Sequence, residues 1–142
     1  MKKSILVALL ASSAFVSFNV SAVAIPNDGI ITTTACTLLG EQVKLNLSNN
    51  VSGAYSCTEA TSTIQVAACH KAGSRNTTTV TCANSGDAQN PSWNNASCQD
   101  ETDTFEITDY RGFRASSLGG KVGAQALGGA CTDATVNGLV AN

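Results

Sequence analysis

The sequence predicts a mainly β domain, small and disulfide-stabilised, with an antiparallel sandwich or barrel-like architecture. Three observations support this fold class: threonine-rich and β-branched runs, segments in which apolar and polar residues alternate, and six cysteines in a chain of 142 residues. β-branched side chains pack well on a pleated surface, and alternation with period two places every second side chain on one face.

The first 24 residues predict a cleaved signal peptide. Lys2 and Lys3 precede an apolar run, and Ala22-Val23-Ala24 is an A-x-A pattern that would leave Ile25 as the first mature residue. A cut after Ala22 is the alternative. The apolar run is interrupted by serines and is shorter than the roughly 20 residues that span a bilayer. We therefore expect residues 25–142 to form one disulfide-rich domain of bacterial type, secreted, at the cell surface or in the periplasm, with no membrane span after cleavage.

Strand character recurs along the predicted domain. The segments that carry it are, in chain order, 30–34, 42–48, 54–57, 77–82 and 104–108. Segment 42–48 is the clearest, because Val43, Leu45 and Leu47 alternate with polar residues. Segments 121–127 and 134–140 are weaker strand candidates, since a glycine interrupts each of them.

Residues 62–73 fit two structures. As a short helix, Ser62 and Gln65 would form a capping box and Gly73 would end the helix. As a strand, Ile64, Val66 and Ala68 would share one face. We favour the strand, because the threonine-rich run that follows needs a pairing partner.

The six cysteines predict three disulfides, since an even number in a small exported chain is typical of a disulfide framework. Successive cysteines lie about a dozen residues or more apart, which differs from the close pairs of zinc sites and from the C-x-x-C-H haem motif. We expect no metal and no other cofactor. Fifteen pairings of six cysteines exist, and local loops favour Cys36–Cys57, Cys69–Cys82 and Cys98–Cys131.

The charge balance argues against nucleic acid as a partner. The formal net charge is −2 and becomes about −4 once Lys2 and Lys3 leave with the signal peptide. A general nucleic-acid binder needs a basic stripe that neutralises phosphates.

Segment 85–97 predicts a loop that carries the single tryptophan, Trp93. One interpretation is a sugar-binding platform, in which the indole ring stacks on a sugar and the amide of Asn94 takes its hydroxyls. The other is that Trp93 covers a small core, which is common for large aromatic side chains.

Segment 110–114 is the second candidate contact surface. It holds two aromatic residues and two arginines, types that are enriched at recognition hot spots: Tyr110, Arg111, Phe113 and Arg114. The alternative is that the aromatics belong to the core while the arginines neutralise the acidic run at 100–109. That run lacks the spacing of a calcium loop and indicates a solvated acidic face.

Three functions fit these features. The first is a non-catalytic structural or surface-associated component, of matrix or filament type, that associates with itself. The second is an adhesin-like or inhibitor-like module that binds an extracellular glycan or protein through Trp93 or segment 110–114. The third is a small hydrolase centred on His70, the single histidine, which would act as the general base.

Overall fold

The computed structural model describes residues 21–141, and the first 20 residues of the predicted signal peptide lie outside them. The described chain forms nine strands, a 3-10 turn and one α-helix. In order these are β1 (Ala22–Ala24), β2 (Ile30–Ile31), β3 (Val43–Lys44), β4 (Val51–Thr58), the turn Glu59–Thr61, β5 (Thr63–His70), β6 (Thr78–Thr81), β7 (Thr104–Ile107), β8 (Arg111–Ser116), β9 (Val122–Ala126) and α1 (Asp133–Val140).

The core of the fold is a five-stranded antiparallel sheet in the order β1-β4-β5-β8-β9. Two small hairpins, β2-β3 and β6-β7, accompany it. The prediction of a mainly β, antiparallel and disulfide-stabilised domain is confirmed. In the described part of the chain the large sheet is open, with β1 and β9 at its edges, and is not a closed barrel.

Helix α1 covers one face of the sheet. Val136, Leu139 and Val140 lie at helical spacing and are buried, and they pack against Ala54 of β4 and Ala67 of β5. Small alanines in these paired positions let the helix approach the sheet closely.

The opposite face is covered by the chain between β1 and β4. There Ile25, Ile31 and Cys36 form a second apolar cluster with Tyr55 of β4. Side chains on both faces of the central strands are thus buried, which gives a layered, sandwich-like arrangement.

A third cluster lies beside β9. Phe105 and Ile107 of β7 pack with the Cys82–Cys98 disulfide, and Trp93 and Ala124 pack against this group. The β6-β7 hairpin is in this way joined to the edge of the main sheet.

The disulfide pairing differs from the predicted one in two of three bridges. Cys36–Cys57 is confirmed, but the others are Cys69–Cys131 and Cys82–Cys98. Cys69 lies on the sheet face that α1 covers, and Cys131 comes just before α1, so this bridge joins sheet to helix. The predicted pairing was wrong for these two bridges because closeness in sequence does not say which faces meet in the fold.

The helix lies where the sequence indicated a strand. Segment 134–140 belongs to α1, and residues 63–70 form the central strand β5, which has hydrogen-bonded neighbours on both sides. The strand alternative for 62–73 is therefore confirmed. The missed signal for α1 is Thr132, whose hydroxyl accepts a hydrogen bond from the Thr135 N–H while the Thr135 hydroxyl accepts one from the Thr132 N–H.

Two further strands differ from the predictions. The clearest predicted strand, 42–48, shortens to Val43–Lys44, with Leu45 packed against the second cluster and Leu47 39% exposed. Segment 111–116, interpreted from its sequence as a contact surface or core, forms β8.

Candidate functional site

A cleft opens between the Trp93 loop, the end of β9 and helix α1. Its volume is about 430 Å³. Its lining includes the side chains of Trp93, Asn95, Arg114, Gln125 and Thr135, and we call this site the tryptophan cleft. It is the place where the structure brings together an aromatic ring, amides, a hydroxyl and a guanidinium group.

The loop that carries Trp93 is fixed by side-chain hydrogen bonds. Asn84 Oδ1 accepts from the N–H groups of Gly86 (2.9 Å) and Ser92 (2.8 Å), and Asn84 forms a β-bridge with Trp93. A side chain at Gly86 would lie 2.2 Å from the carbonyl oxygen of Asn90, so the turn requires glycine here. Trp93 is therefore held in position before any ligand arrives.

Trp93 contacts a core cluster and also borders the cleft. Its side chain is partly buried against the third apolar cluster, and the residue lines the cleft. The sugar-binding interpretation of Trp93 stays a prediction.

Asn94 is buried and its amide is fully used inside the protein. Its Nδ2 donates to the carbonyl oxygens of Thr81 (3.2 Å) and Ala124 (3.0 Å), and its Oδ1 accepts from the Ala83 N–H at 2.8 Å. Asn94 therefore ties the Trp93 loop to edge strand β9. Asn95 Oδ1 likewise accepts from the Ser97 N–H (2.9 Å) and the Ser97 hydroxyl (2.8 Å), so the amides that remain for a ligand are the Nδ2 group of Asn95 and the side chain of its neighbour in the cleft, Gln125.

Gln125 lines the cleft, and it was not among the candidate residues predicted from the sequence. It pairs with Gly112 in the β8-β9 ladder, half-buried on the helix side of the sheet, and its side-chain amide has no hydrogen-bond partner within residues 21–141. Alternation along β9 could have placed Gln125 on one face, but only the loop 92–95 and α1 make that face a cleft.

Arg114 is the charged group of the cleft, and it is only 5% exposed. Nη2 donates to the hydroxyls of Ser85 and Ser92, both at 2.9 Å. Nη1 donates to the carbonyl oxygen of Leu139 at 3.4 Å. Burial lowers the pKa of the Arg114 guanidinium, because desolvation disfavours the charged form.

The other members of segment 110–114 lie apart from the cleft. Arg75 stacks over the Tyr110 ring at 5.2 Å and donates to its hydroxyl. Arg111 Nη2 donates to the carbonyl oxygens of Ser74 (3.5 Å) and Asn76 (3.4 Å). Adjacent strand residues point to opposite faces, so Phe113 leaves the sheet on the side opposite to Arg114 and is 51% exposed.

The aromatics of segment 110–114 are therefore not core residues, since Phe113 is 51% exposed and Tyr110 is half-buried, and its arginines form no ion pair with the acidic run in the described chain. Its arginines bond to backbone carbonyls and to hydroxyls. In the described chain the ion pair that involves the acidic run is Lys121 with Glu101.

His70 ends β5 and stabilises the turn after it. Its Nδ1 accepts a hydrogen bond from the Ala72 N–H at 3.1 Å. Within residues 21–141 no three His, Cys, Asp or Glu side chains come close enough together to hold a metal ion.

A second opening of about 350 Å³ lies near the N-terminal segment. It is lined by polar groups such as Asp28, Asn46 and Lys71, and by no aromatic side chain. Asp28 already accepts the N–H of Ile30 there. The tryptophan cleft is the better candidate because it combines an aromatic side chain with the unused amide of Gln125.

Comparisons with protein-family models, curated proteins and solved structures found no match to this chain. The function of the protein is therefore inferred from the side chains of the cleft.

Three disulfides indicate an oxidising environment such as the periplasm or the cell exterior. The structure of residues 21–141 contains no free cysteine. None of its helices has the length and apolar character that a membrane crossing requires.

Proposed function

We propose that this protein is an exported, non-catalytic binding protein that takes a carbohydrate into the tryptophan cleft. The observation that carries the proposal is the meeting of the partly buried Trp93 ring with the unused amide of Gln125 in one cleft. A sugar ring offers an apolar face for the indole and hydroxyls for the amides, and both kinds of group are present here. The predicted signal peptide and the three disulfides support export to the cell surface, the medium or the periplasm.

The chemistry of the cleft favours binding over catalysis. The free amide of Gln125 can bind and orient a ligand, whereas general acid–base chemistry would need a titratable group placed against the ligand. His70, the base of the hydrolase hypothesis, is not among the residues that line the cleft. We therefore do not propose the hydrolase.

A glycan array followed by fluorescence titration tests the proposal. Trp93 is the single tryptophan, so its emission reports directly on the cleft. We expect ligand to change this emission and Trp93→Ala to weaken binding at least tenfold, which corresponds to about 1.4 kcal/mol. Phe113→Ala is the matched control, since it removes an aromatic ring from the other face and should leave binding unchanged.

The carbohydrate proposal fails if no glycan binds, or if Trp93→Ala and Phe113→Ala bind a glycan equally well. A glycan whose binding is lost only in Phe113→Ala would move the site to the opposite face of the sheet.

Self-association in a structural or surface-associated assembly is the second candidate. It is favoured by two exposed apolar side chains, Phe113 at 51% and Val122 at 66%. They are diagonal neighbours on one face of the β8-β9 ladder, and such an exposed apolar pair can pack against the same pair of a second copy. Sedimentation at high concentration should then show dimers or larger species. Phe113→Ser with Val122→Thr should abolish them, and Leu118→Ser, at another exposed apolar site, should not. A strict monomer would end this hypothesis.

A further inference from the structure

The buried charge of Arg114 points to the kind of sugar that the cleft accepts. Arg114 is only 5% exposed, yet all its partners in the described chain are neutral: two serine hydroxyls and the carbonyl oxygens of Ser92 and Leu139. In the described chain the side chains that form an ion pair are Lys121 and Glu101, at a different place. Arg114 thus has no carboxylate within salt-bridge distance in residues 21–141.

A buried charge without a counter-ion is costly, since solvation by water is lost and no opposite charge replaces it. The C-terminal end of α1 compensates in part, because Leu139 is in its last turn and a helix end carries about half a negative charge. The remaining positive charge is available to an anion that enters the cleft.

The surroundings of the cleft do not supply that anion. The side chains that line it, apart from Arg114, are uncharged. The whole chain is acidic, with a formal net charge of −2, so a cationic cleft is not a by-product of a basic surface. The Nε of Arg114 has no hydrogen-bond acceptor within residues 21–141, whereas both Nη atoms have one.

We propose that the ligand is an acidic sugar, one that carries a carboxylate, and that this carboxylate faces Arg114 while the sugar ring stacks on Trp93. The proposal rests on the carbohydrate-binding function above and adds its ligand class. The Gln125 amide and the Nδ2 group of Asn95 then bind the ring hydroxyls, and Arg114 supplies the charge that distinguishes an acidic sugar from its neutral analogue. A charge-assisted hydrogen bond is roughly twice as strong as a neutral one.

The test compares each acidic sugar with its neutral analogue on the unaltered protein, so it does not depend on a variant that folds. Calorimetric titration would use trigalacturonate with its methyl ester, and sialyllactose with lactose. We expect at least one acidic member to bind tenfold or more tightly than its neutral partner, with an affinity that falls as salt is raised, since ionic contacts are screened.

Variants then assign the effect to Arg114. Arg114→Gln should bind the acid and its neutral analogue with equal affinity, whatever that affinity is, and Arg114→Lys should retain part of the preference for the acid. If Arg114→Gln does not fold, the comparison of acid with ester still decides the matter.

Equal affinity for acid and neutral analogue, or binding of neutral glycans alone, overturns the acidic-ligand inference and leaves the carbohydrate function standing. Absence of binding to every glycan, acidic or neutral, overturns both.

Discussion

Arg114 on strand β8 donates a hydrogen bond to the carbonyl oxygen of Leu139 in the last turn of α1, at 3.4 Å. The same side chain bonds to Ser85 and Ser92 in the loop that carries Trp93. The Arg114 guanidinium therefore joins the sheet, the helix and the Trp93 loop. Its loss should affect both stability and the shape of the cleft.

Arg114→Ala is expected to lower the free energy of unfolding by about 2–3 kcal/mol, because it removes several hydrogen bonds and leaves buried acceptors without donors. Urea denaturation measures this. Arg111→Ala is the control, since Arg111 is less buried and bonds only to two carbonyls at 3.4–3.5 Å, and it should cost less than 1 kcal/mol. Equal losses in the two variants would show that burial of Arg114 adds nothing.

Removal of the Cys69–Cys131 bridge should destabilise the protein more than removal of Cys82–Cys98. The bridges span 62 and 16 residues, and restriction of the unfolded chain then contributes about 4 and about 3 kcal/mol. Double Cys→Ala variants and urea denaturation measure the difference. Peptide mass mapping without reduction checks the pairing itself, and a Cys69–Cys82 peptide would contradict it.

Two glycines near the cleft should respond in opposite ways to alanine. At Gly112 a methyl group would lie 2.6 Å from Leu139 Cδ1 and 3.2 Å from the Ala68 carbonyl oxygen, so Gly112→Ala should cost about 1–3 kcal/mol. At Gly138, inside α1, the same methyl group meets nothing within 4 Å. Gly138→Ala should therefore stabilise the protein by about 0.5–1 kcal/mol. Thermal unfolding of both variants checks the signs.

Strand β1 should contribute to stability, although Ala22–Ala24 lie within the predicted signal peptide. These residues pair with Ala54, Tyr55 and Ser56 of β4, and Ala22 packs against the helix-side core. A chain that begins at Ser21 should unfold at a higher urea concentration than one that begins at Ile25. The free energy of unfolding should differ by about 1–3 kcal/mol. Intact-mass measurement of the exported protein then tells which form exists, and equal stability of the two chains would mean that β1 is dispensable.

Asp100 should titrate below its ordinary range. The N–H of Thr102 and, to a smaller extent, its hydroxyl donate to Asp100 Oδ1, at 2.8 and 2.9 Å, and these bonds lower the pKa of the carboxyl from 3.8. The contribution of these hydrogen bonds to the stability of the folded protein is fully present above pH 3.8 and is lost as the pH falls through the lowered pKa. NMR titration should show the lowered pKa of Asp100. Thr102→Val should raise this pKa but not bring it back to 3.8, because the backbone hydrogen bond from Thr102 remains. An unchanged pKa in that variant would exclude the hydroxyl as a cause.

The sequence predicted the parts of this protein that depend on local pattern. Period-two alternation and β-branched runs identify strands such as Thr104–Ile107 and favour strand over helix for residues 63–70. Segment 134–140 was wrongly predicted as a strand, because Val136 and Val140 are residue types that favour strands. The Thr132 cap and burial against the sheet stabilise a helix there instead. Of the candidate site residues, Trp93 was found as a rare aromatic in a polar loop, but Gln125 has no distinctive local pattern.

By itself, the sequence determined the fold class and the presence of three disulfides, and it placed Trp93 in a polar loop, because composition and periodicity act within a few residues. Only the tertiary structure decided that Cys69 meets Cys131, that Arg114 and Phe113 leave β8 on opposite faces, and that Arg114 lies buried beside Trp93. The physical reason is that these relations join segments tens of residues apart. They are fixed by which faces of the sheet the helix and the Trp93 loop cover.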